Sequence, residues 1–207
     1  MKNTFQFVKS GEKKGQLLIT CDNKGNPTGT ATRFDCHRGN GITHLAFMAF
    51  LLDEKNNLVL TKRAGNKSLW PGFWDTSVVS HVLPGETPKQ AALRRSKEEL
   101  AVSAEFKIFG EFYYQARQND QSENEYCYLL SGKTEQKVIP NQVEISEIKI
   151  VNSDAFSEFY KRNLIKFTPW FNIALKKYNL EKIIWQKNIK PSSRSVYPSH
   201  YLHFWQL

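Results

Sequence analysis

The sequence predicts an α/β or α+β sandwich, with a single domain spanning residues 1–207. Apolar residues make up 40% of the chain and aromatic residues 13%, which is typical of a packed globular protein. A chain of 207 residues is also long enough to bury a substantial core. Strand-like segments flank one capped central helix, and further helical segments follow them. We therefore expect helices packed against a β-sheet.

The first third of the chain predicts strands separated by polar segments. Residues 1–13 are polar and basic, and we expect them to form a tail. They contain no apolar core of the kind found in a secretory signal. Strands are predicted over residues 15–22, 44–54 and 57–64, with the last two forming a hairpin. A turn is predicted over residues 23–29, and polar loops over residues 31–43 and 65–72.

The central stretch, residues 69–100, predicts a loop, a strand, a turn and a helix in that order. The strand ends at His81, and a Pro-Gly turn reverses the chain. Thr87 is a good N-cap for the helix, with Pro88 at its first position. Gln90 follows the cap by three residues, which is the spacing of a capping box.

The second half of the chain predicts a long hairpin and then helices. Residues 105–116 predict a strand interrupted by Gly110, and residues 123–132 predict the returning strand. Later elements are a strand over residues 144–152, a helix over 154–162 capped by Ser153, and a helix over 169–184. We expect residues 185–207 to form an irregular C-terminal extension.

Composition narrows the class of protein and its partners. No apolar run reaches the roughly 18–20 residues of a membrane helix, so we expect a cytoplasmic protein that does not enter a membrane. Three widely spaced cysteines argue against a disulfide framework. A net charge of +9 suits a small polyanionic substrate. Because no nucleic-acid-binding motif is present, we expect the partner to be a small molecule and not a nucleic acid. We also expect a monomer.

Histidines and glutamates near predicted strand ends suggest a metal site. The histidines precede, begin or end predicted strands, at His37, His44 and His81. Glu123 and Glu125 open the returning strand and point to the same face, because they are two residues apart. Three imidazoles and two carboxylates can supply five ligands to a divalent metal.

The central helix carries a charged cluster that has two interpretations. Arg94 pairs with Glu98, and Arg95 with Glu99, at the i,i+4 spacing that stabilises an exposed helix by about 0.2–0.5 kcal/mol per pair. The same face lies next to the strand that ends at His81. In that position the cluster also suits a metal that holds phosphate.

Several long motifs, in one order, resemble type I isopentenyl-diphosphate isomerases of the Nudix superfamily. The resemblance covers about residues 15–180 and implies a Nudix-type α/β/α sandwich with a mixed β-sheet. The motifs that carry it are PTGTATRFDCH, THLAFMAFLLD, LVLTKRAGNKSLWPGFWDTSV, SHVLPGE, RRSKEEL, ENEYCYLL and FTPW.

The resemblance also assigns roles to individual residues. It implies that a divalent metal (Zn²⁺, Mn²⁺ or Mg²⁺) is held by His37, His44, His81, Glu123 and Glu125. It implies a Mg²⁺ held through Glu99, with the diphosphate of the substrate contacted by Arg33, Arg63, Lys67 and Arg95. Glu125 matches the catalytic acid, Tyr114 a tyrosine in the strand before the carboxylates, and Trp170 the aromatic wall.

Two departures from the family patterns leave three functions open. The family places a catalytic cysteine two residues before the strand-end histidine, and this chain has Val79 there. Arg95 replaces a glutamate of the general Nudix hydrolase motif, which argues against ordinary nucleotide hydrolysis. The three functions are a divergent isomerase acting on isopentenyl or another prenyl diphosphate, a diphosphate hydrolase that uses Glu86, Glu98 and Glu99, and a prenyl-diphosphate binder without turnover.

Overall fold

The structure is a computed structural model that describes residues 13–185. Most of the predicted basic tail and all but the first residue of the predicted C-terminal extension lie outside the described residues. The strands are β1 (Leu17–Cys21), β2 (Pro27–Thr32), β3 (His44–Leu52), β4 (Leu58–Arg63), β5 (Trp74–Asp75), β6 (Val78–His81), β7 (Glu105–Gln118), β8 (Gln121–Lys133) and β9 (Ile145–Val151). The helices are α1 (Arg33–His37), α2 (Pro88–Leu100), α3 (Ser153–Asn163), α4 (Pro169–Tyr178) and α5 (Leu180–Trp185), with a 3₁₀ turn at Leu164–Lys166.

All nine described strands join in one mixed sheet that is organised around β3. Strand β3 pairs in parallel with β8 and antiparallel with β6 and β1. Every residue of β3 except Leu52 is buried, which explains its unbroken apolar sequence, because both faces of the strand are covered. The prediction of a mixed sheet is confirmed.

The apolar core has two parts, one on each face of the sheet. On one face, Ala91 and Leu100 of α2 pack with Phe47 of β3. On the other face, Phe156 of α3 and Phe171 of α4 pack with Met48 and Phe50 of β3. Helix layers therefore cover both faces, as the prediction of an α/β/α sandwich requires.

The predicted turn and polar loop near the N-terminus are partly wrong. Residues 27–32 form β2, which pairs with β1, and residues 33–37 form the short helix α1. Thr32 caps this helix by accepting a hydrogen bond from the backbone of Asp35. A helix of five residues is too short to show helical periodicity in the sequence.

Three other predicted boundaries also require correction. The strand before His81 is split into β5, which pairs with β4, and β6, which pairs with β3. Helix α3 is capped by Asn152 and not by Ser153. The last predicted helix is interrupted at Asn179, whose φ of 44° is left-handed and ends α4.

Two predicted features of α2 are confirmed. Thr87 and Gln90 form the reciprocal capping box, with Pro88 in the first turn.

None of the helices within residues 13–185 is long and apolar enough to cross a membrane.

Candidate metal centre and active site

The five residues predicted to bind a metal lie together at one end of the central strands. Each residue offers one ligand atom, and these atoms all lie within 4.8 Å of one another. The members of this cluster, which we call the His/Glu cluster, are all buried: His37, His44, His81, Glu123 and Glu125.

The register of the sheet explains why these distant residues meet. His44 begins β3 and lies opposite Glu125 on the parallel strand β8. His81 ends β6 and lies opposite Ala46 of β3. Because Glu123 is two residues before Glu125, its side chain leaves β8 on the same face. Helix α1 then brings His37 against the cluster from the side.

The ring nitrogens of two histidines are arranged as metal ligands. Nδ1 of His37 donates to the carbonyl of Arg33 at 2.6 Å, and Nδ1 of His44 donates to the carbonyl of Ile42 at 2.8 Å. Their Nε2 atoms face carboxyl groups: His37 Nε2 lies 2.9 Å from Glu123, and His44 Nε2 lies 3.4 Å from Glu125. This buried set of imidazole and carboxyl groups suits a divalent metal.

His81 has a different hydrogen-bonding arrangement. Its Nδ1 lies 2.8 Å from the Arg33 guanidinium, which can only donate, so Nδ1 accepts. Nε2 of His81 then carries the proton and lies 3.2 Å from Glu125. Ligation of a metal through this Nε2 requires the other tautomer, and Arg33 must then leave Nδ1.

The two carboxylates of the cluster have opposite proton affinities. Burial alone would raise the pKa of Glu123, but the charge and hydrogen bond of His37 lower it to about 2. Burial, followed by the charge of Glu123, raises the pKa of Glu125 well above its ordinary value. The Tyr114 hydroxyl also donates to Glu125. Carboxyl groups separated in this way can serve as one ionised ligand and one acid.

Burial also sets the charge of the histidines. It lowers the pKa of His44 to about 4 and the pKa of His81 well below its ordinary value. For His37, burial alone would lower the pKa, but the neighbouring Glu123 carboxylate raises it. His44 and His81 are therefore neutral at pH 7, which is the form that binds metals.

A basic cavity of about 510 Å³ opens beside the cluster. It is lined by Arg33, Arg63 and Lys67, which are three of the four predicted diphosphate-binding residues, together with His37 and Glu123. The cavity therefore joins the positive charges to the His/Glu cluster. That arrangement suits an anionic substrate that also meets the cluster.

The fourth predicted residue, Arg95, is not part of the cavity lining. Its side chain is buried and lies 2.7 Å from Glu98, 2.6 Å from Glu99 and 3.5 Å from Glu144. Glu144 does line the cavity and also pairs with Lys67. Arg95 thus supports the cavity from beneath, and Glu99 lies with it outside the His/Glu cluster.

Comparison with known proteins identifies the family. A Nudix domain family model matches residues 42–171. An isopentenyl-diphosphate Delta-isomerase of Haloarcula marismortui is 33% identical over 174 residues, covering 80% of this chain and 92% of the relative. Another, from Brevibacterium linens, is 31% identical over 75% of this chain and 87% of the relative. The chain belongs to the isopentenyl-diphosphate Delta-isomerase family, within the Nudix superfamily.

The fold is also similar to that of a solved structure. The crystal structure of DR0079 from Deinococcus radiodurans aligns with a TM-score of 0.61 at 19% identity, covering 79% of this chain and 99% of that protein. At this level of identity the comparison shows a shared fold.

The apolar side of this isopentenyl-diphosphate isomerase family site lies behind the cavity. Trp170 is buried on α4, and its ring centroid lies 6.0 Å from that of Tyr114. Val79 lies opposite Met48 in the sheet. It is half-buried and packs against the apolar cluster that contains Trp170 and Tyr114. Cys127 is also buried there, and burial with the charge of Glu125 raises the pKa of its thiol well above the ordinary value. Its thiol is therefore a poor base.

Sequence reasoning missed two buried carboxyl groups in this isomerase-family protein. Glu144 precedes β9 and pairs with Lys67, while Asp75 ends β5 and accepts a hydrogen bond from the Trp170 indole at 2.7 Å. A carboxylate between Trp74 and Thr76 in a strand was the available signal for Asp75, because acidic residues are depleted in strands.

Proposed function

We propose that the protein is a divalent-metal-dependent isomerase that moves the double bond of isopentenyl diphosphate or a related prenyl diphosphate. The observation that carries this proposal is the buried His/Glu cluster beside a basic cavity. Membership of the isopentenyl-diphosphate Delta-isomerase family supports it. A small prenyl diphosphate is the proposed partner, and the chain is proposed to act as a monomer in one domain.

In the proposed reaction, Glu125 protonates the alkene and generates a tertiary carbocation. The Tyr114 hydroxyl donates to Glu125 and fixes the orientation of its carboxyl group. The Trp170 indole stabilises the cation through a cation–π contact of about 0.5–2 kcal/mol. The metal, when bound by the five cluster residues, supplies Lewis-acid polarisation of the Glu125 carboxyl group.

The basic residues orient the substrate. Arg33, Arg63 and Lys67 line the cavity and are proposed to hold the diphosphate, which leaves the alkene to reach the apolar side. Glu99, which lies 2.6 Å from Arg95, would hold a Mg²⁺ that offsets the charge of the diphosphate.

The second half of the reaction is the weak point of this site. A base on the opposite face must remove a different proton, and the Val79 side chain has no atom that can accept one. Loss of an acid–base group typically costs about 10²–10⁴-fold in rate. We propose that a water molecule takes this proton and that turnover is correspondingly slow.

Incorporation of solvent deuterium into isopentenyl diphosphate tests the proposal. Metal-loaded protein should incorporate deuterium, and Glu125→Gln should not, because glutamine cannot deliver the proton. Metal-loaded protein that incorporates no deuterium would contradict the isomerase proposal. Lys62→Gln is a suitable control, because Lys62 pairs with Glu147 on the surface and does not line the cavity.

The same samples separate the other two candidate functions. Phosphate release without deuterium uptake would indicate a hydrolase. The residues that a hydrolase would use, Glu86, Glu98 and Glu99, each pair with Arg94 or Arg95. Tight binding of isopentenyl diphosphate without either reaction would indicate a binder, the alternative that Val79 favours.

A further inference from the structure

Asp75 is a buried carboxylate that the proposed reaction does not use. Its exposed fraction is only 2%. Oδ1 accepts a hydrogen bond from the backbone of Thr76 at 2.8 Å, and Oδ2 accepts one from the indole of Trp170 at 2.7 Å. A buried carboxylate is costly unless it is hydrogen-bonded and its charge is balanced. Its retention at this position therefore requires a reason.

The charge of Asp75 is balanced by Arg63. Nη1 of Arg63 lies 4.0 Å from Oδ2 of Asp75, and its Cζ lies 5.3 Å from the centroid of the Trp170 ring. Arg63 is held in place by hydrogen bonds to the backbone carbonyls of Leu69 and Trp70. The Trp170 indole thus contacts both a fixed cation and a fixed anion.

These contacts have two consequences for a cation near Trp170. A carboxylate that accepts the indole N–H fixes the orientation of the ring and increases the electron density on its face, and electron density attracts cations. The carboxylate also offsets the positive charge of Arg63, which would otherwise repel a second cation in the dry interior. Both effects favour a carbocation at the ring.

We propose that Asp75 is a positioning residue for the carbocation, acting through the Trp170 indole and against the Arg63 charge. This inference rests on the proposed function, in which the substrate becomes a tertiary cation beside Trp170. It assigns the stabilisation of that cation to three residues rather than to the indole alone.

The ionisation of Asp75 gives the inference a pH dependence. Burial raises the pKa of Asp75 to about 7, although Arg63, the Thr76 N–H and the Trp170 N–H each act to lower it. The other groups that face it are Thr168 and the buried thiol of Cys127. Asp75 is therefore ionised at pH 8 and largely neutral at pH 6.

A matched pair of ligands can measure the effect. One is 2-(dimethylammonio)ethyl diphosphate, whose ammonium group mimics the carbocation. The other is 3-methylbutyl diphosphate, which has the same shape and the same diphosphate but no ammonium charge. The readout is the ratio of their affinities for metal-loaded protein at pH 8, measured by calorimetry. We expect the wild type to bind the cationic ligand at least tenfold more tightly.

Asp75→Asn keeps a hydrogen-bond acceptor but removes the charge. We expect the affinity ratio to fall about tenfold, while the affinity for 3-methylbutyl diphosphate changes less than twofold. Glu147→Gln removes an equal charge from the exposed edge of β9, where Glu147 pairs with Lys62 at 3.3 Å, and should leave the ratio unchanged. A wild-type ratio in Asp75→Asn would overturn the inference.

A second measurement needs no variant. In the wild type the ratio should fall as the pH is lowered from 8 to 6, because Asp75 gains a proton while the amine of the ligand stays protonated. A pH-independent ratio would overturn the inference but leave the proposed function intact. Failure of the wild type to bind either diphosphate would overturn the proposed function, and the inference with it.

Discussion

At the scale of single residues, Val79 determines how complete the isomerase chemistry is. The rest of the proposed site is assembled around it: an acid at Glu125, neutral histidines and a basic cavity. Val79 is half-buried against the apolar cluster, so a side chain of similar size fits there. A single thiol at this position would supply the missing acid–base group.

Val79→Cys should therefore raise the turnover number for isopentenyl diphosphate by about 10²–10⁴-fold, with a smaller effect on KM. Steady-state assays of wild type and variant would measure the gain. Val79→Ala is the control, because it opens similar space but supplies no proton, and it should show no gain. An inactive Val79→Cys variant that still binds the substrate would show that the site lacks more than the cysteine.

Asp75 also affects stability, in a direction opposite to that of most acidic residues. Its pKa is raised to about 7 in the folded state, so the folded protein holds the proton more tightly than the unfolded chain. The resulting stabilisation is fully present below the unfolded pKa near 4 and is lost as the pH rises through 7.

Wild type should lose about 2 kcal/mol of unfolding free energy relative to Asp75→Asn between pH 5 and 7. Urea unfolding of both proteins across this range would measure the difference. A pH-independent difference would show that Asp75 does not titrate in this window.

At the scale of elements, helix α1 is as important to the proposed metal site as the central strands. It carries both His37 and Arg33, and Thr32 caps it by accepting from the Asp35 backbone. The sequence predicted the ligands but not this helix. A single helical turn leaves no periodic pattern, and its stability depends on the cap and on contacts with the rest of the fold.

Thr32→Ala should weaken metal binding without removing a ligand. Loss of an N-cap typically costs about 1 kcal/mol, which corresponds to roughly a fivefold lower affinity if α1 must order before His37 binds. Calorimetric titration with Zn²⁺ or Mn²⁺ would measure it. Thr28→Ala on the adjacent strand, which loses a hydroxyl bonded to Thr20, should leave the affinity unchanged. An equal loss in both variants would indicate a general effect on the β1–β2 hairpin.

At the scale of the whole molecule, the sequence predicted what depends on local pattern. Alternation in β8 placed Glu123 and Glu125 on one face, and the apolar run of β3 identified the centre of the sheet. The contact between Asp75 and Trp170 could not be predicted, because it joins residues 95 positions apart. The burial of Arg95 beneath the cavity was equally invisible, since local spacing does not show which side of a helix is covered.

The His/Glu cluster should also couple metal binding to the stability of the fold. The five residues of the cluster come from four elements, α1, β3, β6 and β8, which a bound metal would join. A metal that binds only the folded state at 100 times its Kd stabilises that state by about 2.7 kcal/mol. For a chain of this size, that corresponds to a rise in Tm of about 5–10 °C.

Thermal scans with Zn²⁺, Mn²⁺ and Mg²⁺ would measure the shift and rank the three ions. Glu123→Gln, which removes one carboxylate ligand, should reduce the shift for each ion. A wild-type Tm that none of the three ions changes would show that the five residues do not hold a metal. The raised pKa of Glu125 would then reflect only burial beside Glu123.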